Sequence, residues 1–547
     1  MIPVLTPQSM READRAGVEE LGYTGMQLME NAARSATSII AQMLPTGSSI
    51  LVLCGTGNNG GDGFAIARML KSTRNNYAVR VVWIGSRERM TAETAQMFTQ
   101  CCEAGVDVLH AQSEQDIQSL VGGGDVNNIV SSNAPDHSIV KHDTPTHEYE
   151  CIIDALCGMG GSSELRGLVV PLLRLVNALA ALRIAIDIPS GLDAATGDAH
   201  ESCFVADHTI TMAAVKSGLF LKGAKDVCGN VRVAPIGLSD AIVQSRAFAH
   251  IVEHHDVMAM YSPRKSDTSK FEYGRVCVIA GSRDMPGAAA LCANAAILCG
   301  AGMVELCSTA FHPHLLPEVL QTHLPSTDIG TIAGESTERL RVACSKADCI
   351  VIGPGIGNHE QTLSVIAALI AEFSNHKPVV VDADGLRAVP CSGPVGVNVV
   401  LTPHQGELAR LFQRCEAAGA SVKSASVESA SVKSVSELAS YLGCIVVAKG
   451  VPVRISNGSY ELWNVNGNAG MATAGSGDVA AGVIAAMVCR LSTQPLLSRV
   501  AAGVYIHALA GDMAAEQYTQ EGVTASRIGS LLHEALRAIT AQPERAR

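Results

Sequence analysis

The sequence ILVLCGTGNNGGDGFAIARML, residues 50–70, passes from an apolar run through a glycine-rich loop into a helical pattern. The apolar run is short and continuous, as in a parallel strand that is buried on both faces. A helix that starts directly after a glycine loop presents backbone N–H groups without intrahelical partners and the positive end of its dipole. This order of elements predicts a phosphate-binding strand–loop–helix unit within an α/β fold.

The glycine loop is more polar than a tight turn requires. Between Gly55 and Gly60 it satisfies the spacing GxGxxG of dinucleotide-binding loops, but that match alone is weak. The next apolar run, residues 80–85, is followed by serine and arginine rather than by the acidic residue that would bind a ribose hydroxyl. We therefore predict no ordinary NAD redox site. The amide and carboxylate oxygens at residues 58–62 suit hydrogen bonds to a ligand or to a monovalent cation.

Two further strand-to-glycine-loop units follow, at residues 151–161 and 184–193, and a last apolar run occupies residues 208–212. The carboxyl ends of parallel strands line one crevice, so polar groups at these ends are predicted to meet. Each aspartate taken alone is better explained as a helix cap. Carboxylates at three strand ends and a nearby lysine favour a shared site. Its predicted members are Asn58 to Asp62, Asp154, Asp187, Ser190 and Lys216.

The second half of the chain repeats the pattern of strand and small-residue loop. Five such units are predicted, at residues 275–282, 349–357, 378–385, 399–407 and 444–450. The stretch AGSGD, residues 474–478, then opens an apolar helical run. A phosphoryl group can bind at such a helix start, and Asp478 can take a proton from an attacking hydroxyl or orient it. A helix-capping aspartate explains these five residues equally well. His404 and Lys449 also fall at predicted strand ends on the same side as Asp478.

Length and composition narrow the class of protein. At 547 residues the chain exceeds what one core supports, and the low aromatic content of 4% suits a parallel-sheet α/β protein. A formal net charge of −12 argues against a nucleic-acid-binding surface. The 17 cysteines are scattered, mostly inside apolar runs, and form no CxxC pair. This predicts reduced thiols and neither a zinc site nor a disulfide framework.

The ends of the chain and its polar stretches add expectations about location and organisation. The first residues, MIPVLTPQSMREADRA, lack the basic start and apolar core of a signal peptide, and no apolar stretch reaches about 18 residues. We expect a cytoplasmic protein with neither a membrane nor a nucleic acid as partner, and a homo-oligomer. Residues 121–149 and 416–439 are predicted surface insertions.

The motifs GTGNNGGDG, DALCGMGG, DIPSGLDAATG and AAVKSG resemble the epimerase domain of the NAD(P)H-hydrate repair family over about residues 5–240. The resemblance implies interconversion of the R and S forms of NAD(P)HX, the hydrated and redox-inactive form of NAD(P)H. It implies that Asp187 contacts the substrate and moves a proton, and that Asn59, Asp154 and Ser190 bind K⁺. The implied substrate-binding residues are Asn58, Asn59, Gly60, Gly61, Asp62, Gly158, Met159, Gly160, Gly161, Ser162, Ser163, Glu164 and Asp187.

The motifs IGPGIG, VDADGL, LTPHQGE, VAKG and NAGMATAGSGD, over about residues 255–540, resemble the ribokinase-like dehydratase domain of the same family. The resemblance implies that ADP or ATP phosphorylates the hydroxyl of (S)-NAD(P)HX and that phosphate then leaves, with Mg²⁺ neutralising charge and Asp478 as the base. The implied substrate contacts are Ala288, Gly355, His404 and Asp478. The implied nucleotide contacts are Lys449, Gly450, Val451, Pro452, Val453 and Gly477.

The expected architecture is an N-terminal Rossmann-like three-layer sandwich at residues 1–245, the epimerase, and a ribokinase-like α/β domain at residues 246–547, the dehydratase. Two alternatives stay open. One is a ribokinase-like small-molecule kinase fused to a nucleotide-binding regulatory domain, which would release a stable phosphorylated product. The other is a non-enzymatic scaffold, which would not need four polar site residues together.

Overall fold

The computed structural model describes residues 1–122, 149–160, 164–261, 264–420 and 434–540. The chain divides into two compact units, Ile2–Phe248 and Ala249–Arg547, with Met1 grouped with the second. Most of the two predicted insertions lies outside the described residues. Within the described part, no helix is long and apolar enough to cross a membrane.

The first unit contains nine strands and eight α-helices among its described residues. The strands are β1 Ile2–Leu5, β2 Ser49–Cys54, β3 Ala78–Ile84, β4 Asp107–Ala111, β5 Cys151–Ala155, β6 Leu182–Ile186, β7 His208–Met212, β8 Val215–Lys216 and β9 Asn230–Ala234. The helices are α1 Pro7–Leu21, α2 Gly25–Ala41, α3 Asn58–Lys71, α4 Ala92–Glu103, α5 Glu114–Gly122, α6 Val169–Asn177, α7 Lys225–Cys228 and α8 Asp240–Gln244.

Seven strands of the first unit form one parallel sheet in the order β4–β3–β2–β5–β6–β7–β9. Alternate residues of β2 enter two different cores: Ile50 and Val52 pack with α2, α3 and α4, whereas Leu51 and Leu53 pack with α5 and α6. Helices therefore cover both faces, which is why the apolar runs in the sequence are continuous. The predicted three-layer sandwich is confirmed. Strand β1 pairs in parallel with β8, through Leu5 and Lys216.

The second unit contains ten strands and nine α-helices among its described residues. The strands are β10 Ala249–Ile251, β11 Arg275–Ile279, β12 Met303–Ser308, β13 Leu320–His323, β14 Cys349–Ile352, β15 Val379–Val381, β16 Val399–Leu401, β17 Ile445–Ala448, β18 Val453–Ser456 and β19 Glu461–Asn464. The helices are α9 His254–Met260, α10 Pro286–Leu298, α11 Thr337–Lys346, α12 Glu360–Phe373, α13 Gln405–Ala417, α14 Ser434–Leu442, α15 Ser476–Arg490, α16 Leu496–Tyr518 and α17 Ala525–Thr540.

The ten strands of this unit run in the order β13–β12–β11–β14–β15–β16–β17–β18–β19–β10. All neighbours are parallel except β17–β18 and β18–β19, which are antiparallel. Helices α10, α15, α16 and α17 pack on one face, and α11 to α14 pack on the other. The predicted two-domain α/β class is therefore confirmed in this unit as well. Each of the five predicted strand-loop units contains a strand, and the short strand arm β18–β19 follows the last of them.

Candidate active sites

The glycine loop of the first unit holds the start of α3 against the neighbouring strand. A Cβ at Gly55 would lie 2.2 Å from the carbonyl oxygen of Leu156, and one at Gly60 would lie 2.0 Å from the carbonyl oxygen of Gly55. Helix α3 begins directly after Gly57, and no side chain caps its first turn. Gly57 to Asn59 line a cleft of about 1370 Å³. The first turn of α3 thus offers N–H groups and a positive dipole end to an anion in the cleft.

Asp187 and Lys216 form a buried ion pair in the wall of this cleft. Lys216 is fully buried, and its Nζ donates to Asp187 Oδ1 at 2.5 Å and to the carbonyl oxygen of Met212 at 2.6 Å. Among the described residues nothing donates a hydrogen bond to Asp187 Oδ2, which leaves that oxygen for a ligand. Asp187 also has a φ of 66°, an uncommon conformation for a non-glycine residue. Such strain is often found at functional sites.

Two further carboxyl groups line the same cleft near this pair. Burial raises the pKa of Asp14 to about 6, and the negative charge of Asp187 contributes to the rise. Burial and the charge of Asp187 also raise the pKa of Asp62 well above its usual value. Asp62 was predicted from the sequence, but Asp14 on α1 was missed. Its signal in the sequence is faint, since it is a single aspartate in a polar amphipathic helix.

Asp154, Ser190 and Asn59 lie behind the glycine loop. The fully buried carboxylate of Asp154 accepts hydrogen bonds from the backbone N–H and the hydroxyl of Ser190, both at 2.7 Å. Burial raises the pKa of Asp154 to about 6, despite these hydrogen bonds. Asn59 Nδ2 donates to the carbonyl oxygen of Cys157 at 2.9 Å, while its buried Oδ1 has no hydrogen-bond partner among the described residues. The Cys157 N–H donates to the Ser190 hydroxyl at 2.9 Å, so Asn59 and Ser190 bond to the same residue. An orphaned amide oxygen linked in this way to a hydroxyl and a carboxylate fits the implied K⁺ site.

Of the remaining predicted residues of the first site, some line the cleft and others do not. Gly158, Met159 and Gly160 line the cleft together with Asn58. Gly60 and Gly61 are buried and are not part of the cleft lining, so their contact with a substrate stays a prediction. Glu164 is exposed, pairs with Arg166 at 2.7 Å, and is not part of the lining. The predicted contacts Gly161, Ser162 and Ser163 lie outside the described residues.

The second unit has a cleft of about 690 Å³ at the start of α15. Gly475 precedes this helix with a φ of 85°, in the left-handed region that glycine adopts without strain. No side chain caps the first turn of α15. The Ser476 N–H donates to the carbonyl oxygen of Thr473 at 3.3 Å, so the N–H groups of Gly477 and Asp478 are the ones available to a ligand. The lining includes Gly477, Asp478 and the run from Lys449 to Val453. These predicted residues are therefore brought together around an uncapped helix start.

Lys449 reaches across this cleft to Asp382 at the end of β15. Its Nζ donates to Asp382 Oδ1 at 2.7 Å, and the same oxygen accepts a hydrogen bond from the Thr402 hydroxyl at 2.7 Å. Burial lowers the pKa of Lys449, but the charge and hydrogen bond of Asp382 outweigh it, so the pKa lies above its usual value. A Cβ at Gly477 would lie 3.1 Å from Lys449 Nζ. Lys449 is thus a fixed cation next to the first turn of α15.

Asp478 is half-buried in the first turn of α15 and lines the cleft. Burial raises its pKa to about 7; the negative charge of Asp382 adds to this rise, and the positive charge of Lys449 opposes it. A carboxylate with a pKa near the ambient pH can accept a proton from a hydroxyl and release it again. Asp382 itself is 1% exposed. Asp382 lies in the motif VDADGL, to which no role at this position was predicted from the sequence.

One of the predicted substrate contacts of the second site lines the cleft, and two do not. His404 lines the cleft, and its Nδ1 accepts a hydrogen bond from the Gly406 N–H at 3.0 Å. Ala288 and Gly355 are adjacent, since a Cβ at Gly355 would lie 3.0 Å from the Cβ of Ala288. Neither of these two residues is part of the cleft lining. Their contact with a substrate stays a prediction.

His507 is a residue of the second site that the sequence analysis missed. It lies on α16, lines the cleft, and its Nε2 is 3.4 Å from the hydroxyl of Ser476 at the start of α15. Burial lowers the pKa of His507 to about 4, and the positive charge of Lys449 contributes. At neutral pH this histidine is therefore uncharged. No sequence motif marks it, because α16 is a long, mostly apolar helix.

Comparison with known proteins identifies both units. A family model described as YjeF-related protein N-terminus matches residues 25–218, and one described as NAD(P)H-hydrate dehydratase matches residues 276–534. The ribokinase-like superfamily protein of Enterococcus faecalis is similar to 54% of this chain and 97% of its own, at 25% identity and a TM-score of 0.46.

Some known proteins are similar to this chain over nearly its whole length. The bifunctional NAD(P)H-hydrate repair enzyme Nnr of Thermofilum pendens is 32% identical over 536 residues, which cover 96% of this chain and 94% of that protein. The enzyme of the same name from Escherichia coli is 30% identical, covering 96% of this chain and 92% of that protein. The family inferred from the motifs in both halves is confirmed: this chain belongs to the bifunctional NAD(P)H-hydrate repair enzymes.

Proposed function

We propose that the first unit interconverts (R)- and (S)-NAD(P)HX, and that the second dehydrates (S)-NAD(P)HX to NAD(P)H through a phosphorylated intermediate made with ADP or ATP. The observation that carries the proposal is the first turn of α15. There Asp478, with a pKa of about 7, lies beside uncapped N–H groups and near Lys449. A proton acceptor and an anion-binding helix start are the two parts that phosphoryl transfer to a hydroxyl needs.

In the second site, Asp478 takes the proton of the ring hydroxyl as the hydroxyl oxygen attacks the terminal phosphorus of the nucleotide. The first-turn N–H groups of α15 and Lys449 stabilise the charge on the transferring phosphoryl group. Phosphate then leaves with the C–O bonding electrons, and the neighbouring ring carbon loses a proton to form the double bond of NAD(P)H. Hydroxide would be a poor leaving group in the same step. The phosphate is thus added only to be expelled.

The nucleotide would lie along the residues from Lys449 to Val453 and against Gly477, which line one cleft. Two carboxylates in the same lining other than the base, Asp382 and Glu407, provide oxygen donors of the kind that Mg²⁺ prefers. This donor set fits the Mg²⁺ that the family resemblance implies. The ion supplies charge neutralisation for the phosphates. His404 would contact the hydrated nucleotide from the start of α13.

In the first site, Asp187 Oδ2 would contact the hydroxylated ring and move a proton, while Lys216 fixes the carboxylate through Oδ1. The start of α3 would bind the pyrophosphate. Asn59, Asp154 and Ser190 would hold K⁺ behind the loop, where the ion contributes positive charge and fixes the loop. The homo-oligomer and the cytoplasmic location remain predictions.

Asp478→Asn separates the two activities. The amide is close in size to the carboxylate but is no proton acceptor, so we expect dehydration of (S)-NADHX with ADP or ATP to fall about 10³-fold. Interconversion of R and S forms, followed by chromatography, should stay at the wild-type rate. Dehydration is followed by the absorbance of the reduced nicotinamide. The control is Asp284→Asn, since Asp284 is exposed and outside the cleft.

Loss of both activities in a folded Asp478→Asn protein would contradict this division. A wild-type protein that returns no NADH with either nucleotide, and instead accumulates a stable phosphorylated product, would favour the small-molecule kinase.

The pH dependence of dehydration follows from the protonation of Asp478. Only the ionised carboxylate accepts a proton, so kcat/KM should fall as pH is lowered through about 7, by about tenfold per pH unit below it. Because Lys449 lowers the pKa of Asp478, Lys449→Met should move the acidic limb of the kcat/KM profile to higher pH. Lys449→Arg keeps the positive charge and should leave the acidic limb nearly in place. The measurement is the pH profile of kcat/KM for the three proteins. If kcat/KM fell at the same pH in Lys449→Met and Lys449→Arg, this would count against Asp478 as the base.

Binding of K⁺ behind the loop should stabilise the first unit, because an ion that binds only the folded state raises its stability. We expect KCl to raise the midpoint of thermal unfolding relative to LiCl at equal ionic strength, and Asn59→Ala to abolish the difference. Asn58→Ala is the matched control, since Asn58 lines the cleft and its Oδ1 already accepts a hydrogen bond from Thr91. If the wild-type protein had the same midpoint of thermal unfolding in KCl and in LiCl, this site would be ruled out.

A further inference from the structure

The first cleft extends well beyond the residues to which a role has been given. Its wall also includes the carboxyl ends of β3 and β4 and the short 3₁₀ helix Arg87–Arg89 that follows β3. From this region Ser86, Arg89 and His110 line the same cavity as Asp187. None of these three residues has a part in the proposed epimerisation.

The order of strands shows which part of a dinucleotide would reach this region. Asp187 follows β6, the start of α3 follows β2, and β3 and β4 lie on the opposite side of β2 from β6. The inference here rests on the proposed function, in which the hydrated ring lies at Asp187 and the pyrophosphate at α3. The rest of the molecule, its adenosine half, must then extend toward β3 and β4.

The charge in this region suits a phosphate rather than a ribose diol. Dinucleotide sites that bind the free ribose hydroxyl place an acidic side chain after the corresponding strand, whereas an arginine there accommodates a 2′-phosphate. Here Ser86 follows β3, and Arg89 has no carboxylate within 4 Å among the described residues. The nearby Glu88 does not line the cleft, but its carboxylate accepts a hydrogen bond from the Ser86 hydroxyl. Arg87 lies over the ring of Phe98, 5.1 Å from its centre.

The neighbouring backbone and ring are held in fixed positions. Gly85 has a φ of 113°, and a Cβ there would lie 2.6 Å from Cγ2 of Thr56 in the glycine loop, so only glycine brings Ser86 this close. His110 stacks on Trp83 with ring centres 3.8 Å apart, and its Nε2 lies 2.8 Å from the carbonyl oxygen of Gly85. The region therefore combines a hydroxyl, a cation and a fixed aromatic ring.

We propose that Ser86 and Arg89 form a subsite for the 2′-phosphate of NADPHX, with His110 beside the adenosine. The guanidinium of Arg89 binds the phosphate oxygens. The Ser86 hydroxyl turns away from Glu88 and donates its one hydrogen bond to them. The epimerase then prefers NADPHX to NADHX, because only the former carries this phosphate.

The test compares both substrates in full-length wild type and Arg89→Gln. We expect KM for epimerisation of (R)-NADPHX to rise about tenfold in Arg89→Gln, while KM for (R)-NADHX stays within about twofold. Arg87→Gln is the matched control and should leave both KM values unchanged. Epimerisation of (R)-NADHX at the wild-type rate reports that the first unit, which contains Arg89, is folded. Equal changes for both substrates, or none, would overturn the subsite.

A binding measurement keeps this test separate from the proposed function. Adenosine 2′,5′-bisphosphate should bind wild type about tenfold more tightly than Arg89→Gln by calorimetry, whereas 5′-AMP should bind both proteins alike. Failure of the wild type to epimerise either substrate would contradict the proposed function, while the calorimetry would still decide on the subsite. Equal binding of the bisphosphate to both proteins would refute it.

Discussion

Two helices that begin without a side-chain cap determine what both halves of this protein can bind. Helix α3 starts after Gly57 and α15 starts after Gly475, and neither first turn has a capping side chain. Native proteins leave few such N–H groups unpaired, and because both helix starts line a cleft, a bound ligand can supply the missing partner. Since an uncapped N-terminus favours anions, the phosphates of a nucleotide are the common requirement of the two sites.

Each site also has a buried carboxylate paired with a lysine, but a different member of the pair faces the ligand in each site. In the first unit Lys216 fixes one oxygen of Asp187 and leaves the other for substrate. In the second unit Lys449 is held by Asp382 and lies near Gly477, while the separate Asp478 takes the part of the base. Desolvating such pairs costs free energy, which they recover only with close geometry and further hydrogen bonds. This cost is consistent with a functional rather than a stabilising role.

The strand-loop pattern of the sequence predicted the architecture because parallel strands buried on both faces leave continuous apolar runs. It also predicted the polar residues at strand ends, since the sheet brings those ends together. What it missed depends on packing between distant elements. Asp14 and His507 enter their clefts from helices α1 and α16, whose placement no local pattern gives. Gly60 was predicted to bind substrate; the structure places it against the carbonyl oxygen of Gly55 and outside the cleft lining, and its contact with substrate stays a prediction.

The central claim is that the ring hydroxyl is phosphorylated before it leaves, and the fate of its oxygen tests this most directly. (S)-NADHX labelled with ¹⁸O in the ring hydroxyl is converted by the wild-type protein with ADP, and inorganic phosphate and water are analysed by mass spectrometry. If the hydroxyl oxygen attacks phosphorus with Asp478 as the base, the label appears in inorganic phosphate. Label found in water, with unlabelled phosphate, would show that the hydroxyl leaves without being phosphorylated and would contradict the account.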